Sequence, residues 1–181
     1  TLCILNHCSS VDMLIGLAWL SRYGPPYPGN AKAIVKASLG KVPIFGWILR
    51  FAEFPLISRS WEQDRLHLLD SIRSLLTFPV PLWYVIYPEG SRVDAAKLRA
   101  SQDYARERGY PVLENVLLPR FKAFTAVVHA LRGSVQDICD ATLMFDGPVP
   151  TAKTALSGEC STYVSSKIRK ICLTISSLYV R

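Results

Sequence analysis

The run PLWYVIY, residues 81–87, constrains the fold more than any other stretch, because it has no charged residue and no polar face. A strand of this kind is typical of a sheet covered on both sides by helices. Shorter apolar runs at 2–6, 31–37 and 135–145 alternate with longer helical patterns. We therefore expect an α/β fold in which a central, mostly buried β-sheet is flanked by helices.

The length of 181 residues and a hydrophobic content of 50% favour one domain with a full core. The informative motifs fall within residues 1–146, whereas 147–181 is turn-rich and then β-prone. The chain lacks an initiator Met and begins inside a predicted strand. Our interpretation is a single domain, 1–181, taken from a longer membrane protein whose anchoring segments are absent here.

The net charge of +7 suits an anionic partner. The 21 Lys and Arg are scattered, without the dense tract or module typical of nucleic-acid binding, so we expect no nucleic-acid partner. Five widely spaced cysteines without a C-x-x-C pair argue against a disulfide framework and against zinc, and we expect no metal. The most apolar stretch, 41–58, contains Arg50 and Glu53, which favours a core helix or an interfacial segment over a membrane span.

The segment NHCSSVD, residues 6–12, follows the first predicted strand. Ser9 and Asp12 match a helix capping box, which is a sufficient structural explanation on its own. The functional alternative is a dyad in which Asp12 folds back under His7 and orients the imidazole as a general base. Cys8 as a nucleophile is disfavoured, because no second histidine or orienting group lies nearby in sequence.

Polar residues also follow three other predicted strands, at 55–58, 81–87 and 114–119. Loops at strand ends are where α/β sheets bind ligands. Taken separately, each has an ordinary explanation as a surface cation, a helix cap or a turn glycine. Their shared position at strand ends makes them candidates for an anion-binding site. These candidates are Arg59, Glu89, Gly90, Ser91, Arg92, Pro119, Arg120 and Lys122.

Four of these segments together resemble the conserved blocks of the glycerolipid acyltransferases, the 1-acylglycerol-3-phosphate acyltransferase family. NHCSSVD is similar to the N-H-x-x-x-x-D block, FPLISR to the second block, YPEGSR to the third and VLLPRFKAF to the fourth, in the family's order over residues 6–124. KASLGKVPIFGW and RSWEQD resemble the eukaryotic membrane-bound branch. Phe121 and Ala123 depart from that branch, which usually has Thr and Gly there.

The resemblance implies transfer of a fatty acyl group from acyl-CoA to the sn-2 hydroxyl of lysophosphatidic acid, with His7 and Asp12 catalytic. It assigns Asn6 and the strand-end candidates above to substrate binding. It implies no cofactor beyond acyl-CoA as co-substrate, and a membrane surface as partner. The expected location is a membrane, the endoplasmic reticulum, reached through segments absent from this chain.

Three alternatives stay open at this point. The acceptor could be another lysophospholipid, such as lysocardiolipin, lysophosphatidylglycerol or a lysophosphoinositide. A hydrolase would use water in place of the lipid hydroxyl, but the chain has no G-x-S-x-G elbow. A non-catalytic membrane-associated lipid-binding protein would have no need of His7, Asp12, Glu89 and Arg92 together.

Overall fold

The computed structural model describes residues 1–23, 28–58, 60–145, 149–151, 153–154 and, as backbone, 169–174. The strands are β1 (Leu2–Leu5), β2 (Ala31–Ala33), β3 (Val35–Lys36), β4 (Leu56–Ile57), β5 (Trp83–Ile86), β6 (Asp137–Thr142) and β7 (Arg169–Thr174). The α-helices are α1 (Asp12–Tyr23), α2 (Phe45–Phe51), α3 (Trp61–Leu76), α4 (Ala95–Arg108) and α5 (Phe121–Leu131). Two 3-10 helices, Pro28–Asn30 and Ala37–Lys41, precede β2 and α2.

The described strands form a five-stranded sheet in the order β2-β5-β1-β6-β7 and a separate two-stranded sheet, β3-β4. Strands β2, β5, β1 and β6 are mutually parallel, and β7 pairs antiparallel with β6. The α/β class expected from the alternation of apolar runs is therefore confirmed. Parallel strands end on the same edge of the sheet, so the segments after β1, β5 and β6 are brought together there.

The two faces of the sheet carry separate apolar clusters, because side chains alternate along each strand. One face packs against the buried stripes of α3 and α5, with Tyr84 at its centre. The other face packs against α1 and includes Cys3, Val85 and Cys139. Burial on both faces explains why β5 has no polar side.

The structure differs from the sequence expectations in three places. The segment 114–119, expected as a strand, has no regular structure. The run 31–37 is divided between β2 and β3, which belong to different sheets. The helical spacing of Leu66, Leu69, Ile72 and Leu76 predicts an apolar face for α3. The buried stripe instead contains Leu68, Ile72 and Leu75, and Leu66 is 70% exposed.

Candidate active site

The site begins where β1 ends and α1 starts. The Nδ1 atom of His7 lies 2.9 Å from Oδ2 of Asp12, whose side chain is fully buried. With the Nδ1 proton donated to this carboxylate, Nε2 is left as the atom that can accept a proton. About a quarter of the His7 side chain (26%) is exposed, so the ring is open to a substrate.

Asp12 also caps the helix that it begins. The backbone N–H of Ser9 donates to Oδ2 of Asp12 at 2.7 Å, and the N–H of Val11 donates to Oγ of Ser9 at 3.1 Å. These are the bonds that satisfy otherwise unpaired amides at a helix N-terminus. The capping explanation and the dyad explanation are therefore compatible, because one carboxylate oxygen accepts from both Ser9 and His7.

Tyr87, directly after β5, contacts the His7 ring. The two ring centroids are 4.6 Å apart and the planes are tilted by 32°. Burial raises the pKa of the Tyr87 phenol above its ordinary value, and the nearby charge of Asp12 acts in the same direction. Tyr87 is therefore a neutral wall of the site that restricts the imidazole orientation.

Glu89 joins the loop after β5 to two other segments. Its Oε1 accepts from the His7 backbone N–H at 3.0 Å, and its Oε2 accepts from the Leu117 N–H at 3.3 Å. The residue is only 5% exposed. Burial raises the pKa of the Glu89 carboxyl, and the two amide hydrogen bonds act in the opposite direction. Both carboxylate oxygens are thus engaged in positioning the backbone around His7.

Gly90 and Arg120 lie against each other. Gly90 has φ +68°, the left-handed region that favours glycine, and a Cβ atom there would lie 3.1 Å from Cδ of Arg120. The backbone N–H of Arg120 donates to the Pro88 carbonyl at 2.7 Å. The turn after β5 and the start of α5 therefore form one surface, to which Arg120 contributes an exposed cation.

The remaining candidates are distributed around this surface. Arg92 is exposed, and the next residue, Val93, donates its backbone N–H to the His7 carbonyl at 3.0 Å, so the two backbones are neighbours. Ser91 is buried at the same turn. Pro119 and Lys122 are exposed beside Arg120. Arg59 lies outside the described residues.

Asn6 does not point into an open site. Its Oδ1 accepts from the Leu143 N–H at 2.6 Å and its Nδ2 donates to the Leu143 carbonyl at 3.0 Å. These bonds tie the end of β1 to the segment after β6. Burial, together with the charges of Asp12 and Glu89, raises the pKa of the Cys8 thiol to about 11, which opposes a nucleophilic role.

An apolar pocket adjoins Tyr87 on the sheet face that packs against α1. Sequence reasoning did not identify this pocket, because its walls come from four separate segments. Its lining is Met13, Gly16, Leu17, Ala31, Lys32, Ala33, Phe54, Val85 and Tyr87. The single cation, Lys32, donates from Nζ to the Ala52 carbonyl at 2.7 Å and so satisfies that carbonyl. The pocket is small, and it lies beside the aromatic residue that contacts the His7 ring.

Sequence reasoning also missed the roles of Tyr87 and Leu117. Tyr87 was within the quoted YPEGSR block, and its position two residues after Val85 places it on the same sheet face. Leu117 contributes only its backbone amide, for which side-chain identity gives no signal. In the described part of the chain, no group of three or more His, Cys, Asp or Glu could hold a metal ion, and none of its helices is long and apolar enough to cross a bilayer.

A buried carboxylate behind a solvent-accessible imidazole, at the carboxyl edge of a parallel sheet, is an arrangement that can serve general-base chemistry in a transferase or a hydrolase. A family model described as Acyltransferase matches residues 1–136, and the chain belongs to this family.

Individual curated relatives show which members of the family the chain is similar to. The chain is 40% identical over 144 residues to the human 1-acyl-sn-glycerol-3-phosphate acyltransferase gamma, covering 80% of this chain and 38% of the relative. It is 35% identical over 162 residues to 1-acyl-sn-glycerol-3-phosphate acyltransferase 2 of Arabidopsis thaliana, covering 88% and 41%. The chain thus spans about two fifths of the length of these relatives. No solved structure shows a significant match.

Proposed function

We propose that the chain is the catalytic part of an acyl-CoA-dependent 1-acylglycerol-3-phosphate acyltransferase, which converts lysophosphatidic acid to phosphatidic acid. The observation that carries the proposal is the contact between His7 and the buried carboxylate of Asp12. The names of the relatives support the acceptor, and the match to the Acyltransferase family model supports transfer of an acyl group.

In the proposed reaction, Nε2 of His7 accepts the proton of the acceptor's sn-2 hydroxyl as its oxygen attacks the thioester carbonyl of acyl-CoA. Asp12 stabilises the imidazolium that forms. The tetrahedral intermediate then expels CoA thiolate, and the imidazolium returns the proton to that sulfur. Atoms and charge balance, and the step requires no acyl-enzyme, metal or further cofactor. General-base catalysis of this kind contributes roughly 100- to 10,000-fold.

Exposed cations next to the dyad are the proposed binding groups for the acceptor phosphate. Arg92 and Arg120 present guanidinium groups suited to phosphate oxygens, and Lys122 adds a point charge. Arg59 is kept as a further candidate on the family resemblance alone. Glu89 and Asn6, whose polar atoms bind backbone groups, are proposed to shape the site rather than to contact the acceptor. The reaction would take place at a membrane surface, with the endoplasmic reticulum as the expected membrane.

The test combines product identification with an acceptor panel. The purified chain is incubated with one radiolabelled acyl-CoA and with lysophosphatidic acid, lysophosphatidylglycerol, lysophosphatidylinositol or monolysocardiolipin. We expect labelled phosphatidic acid from the first acceptor, together with loss of product in His7→Ala. Arg92→Ala should raise the KM for the acceptor with little change in kcat. Free fatty acid as the main product would identify a hydrolase, and preference for another acceptor would correct the substrate.

A further inference from the structure

The helix α2 and the residue before it expose large apolar side chains, whereas α1, α3 and α5 pack against the main sheet. We define the α2 apolar surface as Ile44, Trp47, Ile48 and Phe51, all exposed, with Trp47 at 65% and Phe51 at 80%. The rings of Trp47 and Phe51 stack, with centroids 5.9 Å apart. Exposure of two neighbouring aromatic side chains is unfavourable in water and marks a surface that binds an apolar partner.

The backbone holds this surface outward. Gly46 packs so closely on the preceding 3-10 helix that a Cβ atom would lie 2.3 Å from the Gly40 carbonyl oxygen, and Leu49 is buried on the same side. Two non-glycine residues with positive φ bracket the helix, Ile44 at 63° and Glu53 at 56°. Such conformations are unfavourable and persist only where surrounding structure enforces them. The exposed side of α2 is therefore a fixed feature of the fold.

The segment that carries the α2 apolar surface is also basic. Residues 36–53 contain three basic side chains, Lys36, Lys41 and Arg50, which are all exposed, and one acidic side chain, Glu53. An exposed apolar surface in a basic segment matches the interface of an anionic bilayer, where apolar groups enter the acyl region and cations meet phosphates. This combination of apolar and basic side chains favours an anionic lipid surface as the partner.

The segment after α2 leads from the α2 apolar surface towards the candidate active site. Phe54, three residues after Phe51, lines the pocket beside Tyr87, and Lys32, in another part of the lining, donates to the Ala52 carbonyl. The segment that follows α2 is therefore held to the Tyr87 side of the site by packing and by a hydrogen bond. A bilayer that contacts α2 would thus lie near the site of the proposed reaction.

We propose that the α2 apolar surface docks on an anionic phospholipid bilayer and brings the candidate active site to the lipid. The proposal rests on the proposed function for the purpose of docking, whereas the docking itself is measurable without either substrate. The other occupants that such a surface could take, a second copy of the chain or a further segment of a longer protein, are outcomes of the test below.

The binding test uses the 181-residue chain and sedimentation with vesicles of phosphatidylcholine, with and without phosphatidylserine. We expect binding that increases with phosphatidylserine and decreases with salt. Trp47→Ser/Phe51→Ser should lower the partition coefficient by about tenfold or more, since two large apolar side chains no longer enter the lipid. The matched control is Leu66→Ser/Phe78→Ser, which removes two exposed apolar side chains from elsewhere and should leave binding unchanged.

A fluorescence experiment locates the contact. Vesicles with brominated acyl chains should quench the wild-type protein, and Trp47→Phe, which keeps an apolar ring, should bind normally but lose most of the quenching. Equal vesicle binding by the Trp47→Ser/Phe51→Ser variant would overturn the proposal. The proposal would also be overturned if light scattering showed that the wild-type chain is an oligomer and that this variant is a monomer, because a second copy of the chain would then occupy the surface. A third result would also overturn the proposal: the wild-type chain does not bind vesicles, a longer protein does bind, and these substitutions leave the binding of the longer protein unchanged.

Activity separates this inference from the proposed function. With short-chain, water-soluble acyl-CoA and acceptor, Trp47→Ser/Phe51→Ser should match the wild type, and with vesicle-embedded acceptor it should be at least about tenfold slower. Vesicle binding by a chain that transfers no acyl group would contradict the proposed function and leave the docking surface intact. Normal transfer to vesicle-embedded acceptor by the variant would contradict the docking surface alone.

Discussion

Replacement of Asp12 by Asn tests the central contact of the site with almost no change in side-chain volume. In the wild type, Oδ2 of Asp12 accepts from both the His7 ring and the Ser9 backbone. An asparagine keeps one acceptor oxygen for these two donors and presents an NH₂ group in place of the other oxygen. The neutral amide carries no negative charge, so it no longer stabilises the imidazolium that forms when His7 accepts the proton of the substrate hydroxyl.

The expected size of the effect follows from the geometry. The Nδ1 and Oδ2 atoms are 2.9 Å apart, with the carboxylate fully buried. Charges centred about 4 Å apart attract by about 4 kcal/mol at an effective dielectric constant of about 20. Since about 1.4 kcal/mol corresponds to a tenfold change in rate, complete loss would slow proton transfer by roughly 1,000-fold. Solvent screens part of this attraction at the exposed side of His7, so we expect kcat to fall by about 100- to 1,000-fold.

The assay is a steady-state measurement of CoA release with lysophosphatidic acid as acceptor. Because Asp12 is fully buried and touches no substrate, the KM for the acceptor should change little. The matched control, Asp103→Asn, removes an exposed ion pair of similar length, 2.7 Å from Arg106, and should leave kcat unchanged. A folded Asp12→Asn variant, checked by circular dichroism, whose kcat stays within about threefold of the wild type would refute the dyad.

Three further predictions concern the segments around the dyad. Glu89→Gln should destabilise the fold by about 1–3 kcal/mol in chemical denaturation, because an NH₂ group then faces the N–H of His7 or Leu117. The raised pKa of Glu89 means that the folded state holds this proton more tightly than the unfolded state. Wild-type stability should therefore fall as pH rises above about 4.5 through the raised pKa, and Glu89→Gln should lack that component. Gly90→Ala should destabilise the fold by about 1–2 kcal/mol, and it should raise the KM for the acceptor because the new Cβ atom displaces Arg120. The control is Gly109→Ala, because Gly109 also has a positive φ (+67°) but faces open space, so that this variant shows the effect of backbone strain alone. An unchanged KM would separate Arg120 from the acceptor site. Alkylation of Cys8 by iodoacetamide, followed by mass spectrometry of its peptide, should be slow at pH 8 and accelerate towards the thiol pKa of about 11, and rapid reaction at pH 7 would contradict that environment.

The sequence could predict those parts of the protein that depend on neighbours along the chain. The interior position of β5 followed from its apolar composition, and the approach of Asp12 to His7 followed from a helix start five residues away. Short-range hydrogen bonds and side-chain periodicity are local properties, so they can be inferred without knowledge of the rest of the fold. Leu66 shows the limit of this reasoning. Its spacing correctly predicted a helix, but the side of the helix that packs inward is the neighbouring one, which contains Leu68.

Other properties were decided only when distant segments met. The sequence marked Glu89 as a ligand for the acceptor, whereas the tertiary structure engages both of its oxygens with amides 82 and 28 residues away. The sequence left α2 as either a core helix or an interfacial segment, and close packing of Gly46 on Gly40 leaves its aromatic side exposed. Thus the sequence by itself predicted the α/β class and offered a contact between His7 and Asp12 as one of two explanations, while the tertiary structure determined what each polar group binds and which apolar face remains open. The physical reason is that buried hydrogen bonds and close packing depend on atoms that only the folded chain brings within contact distance.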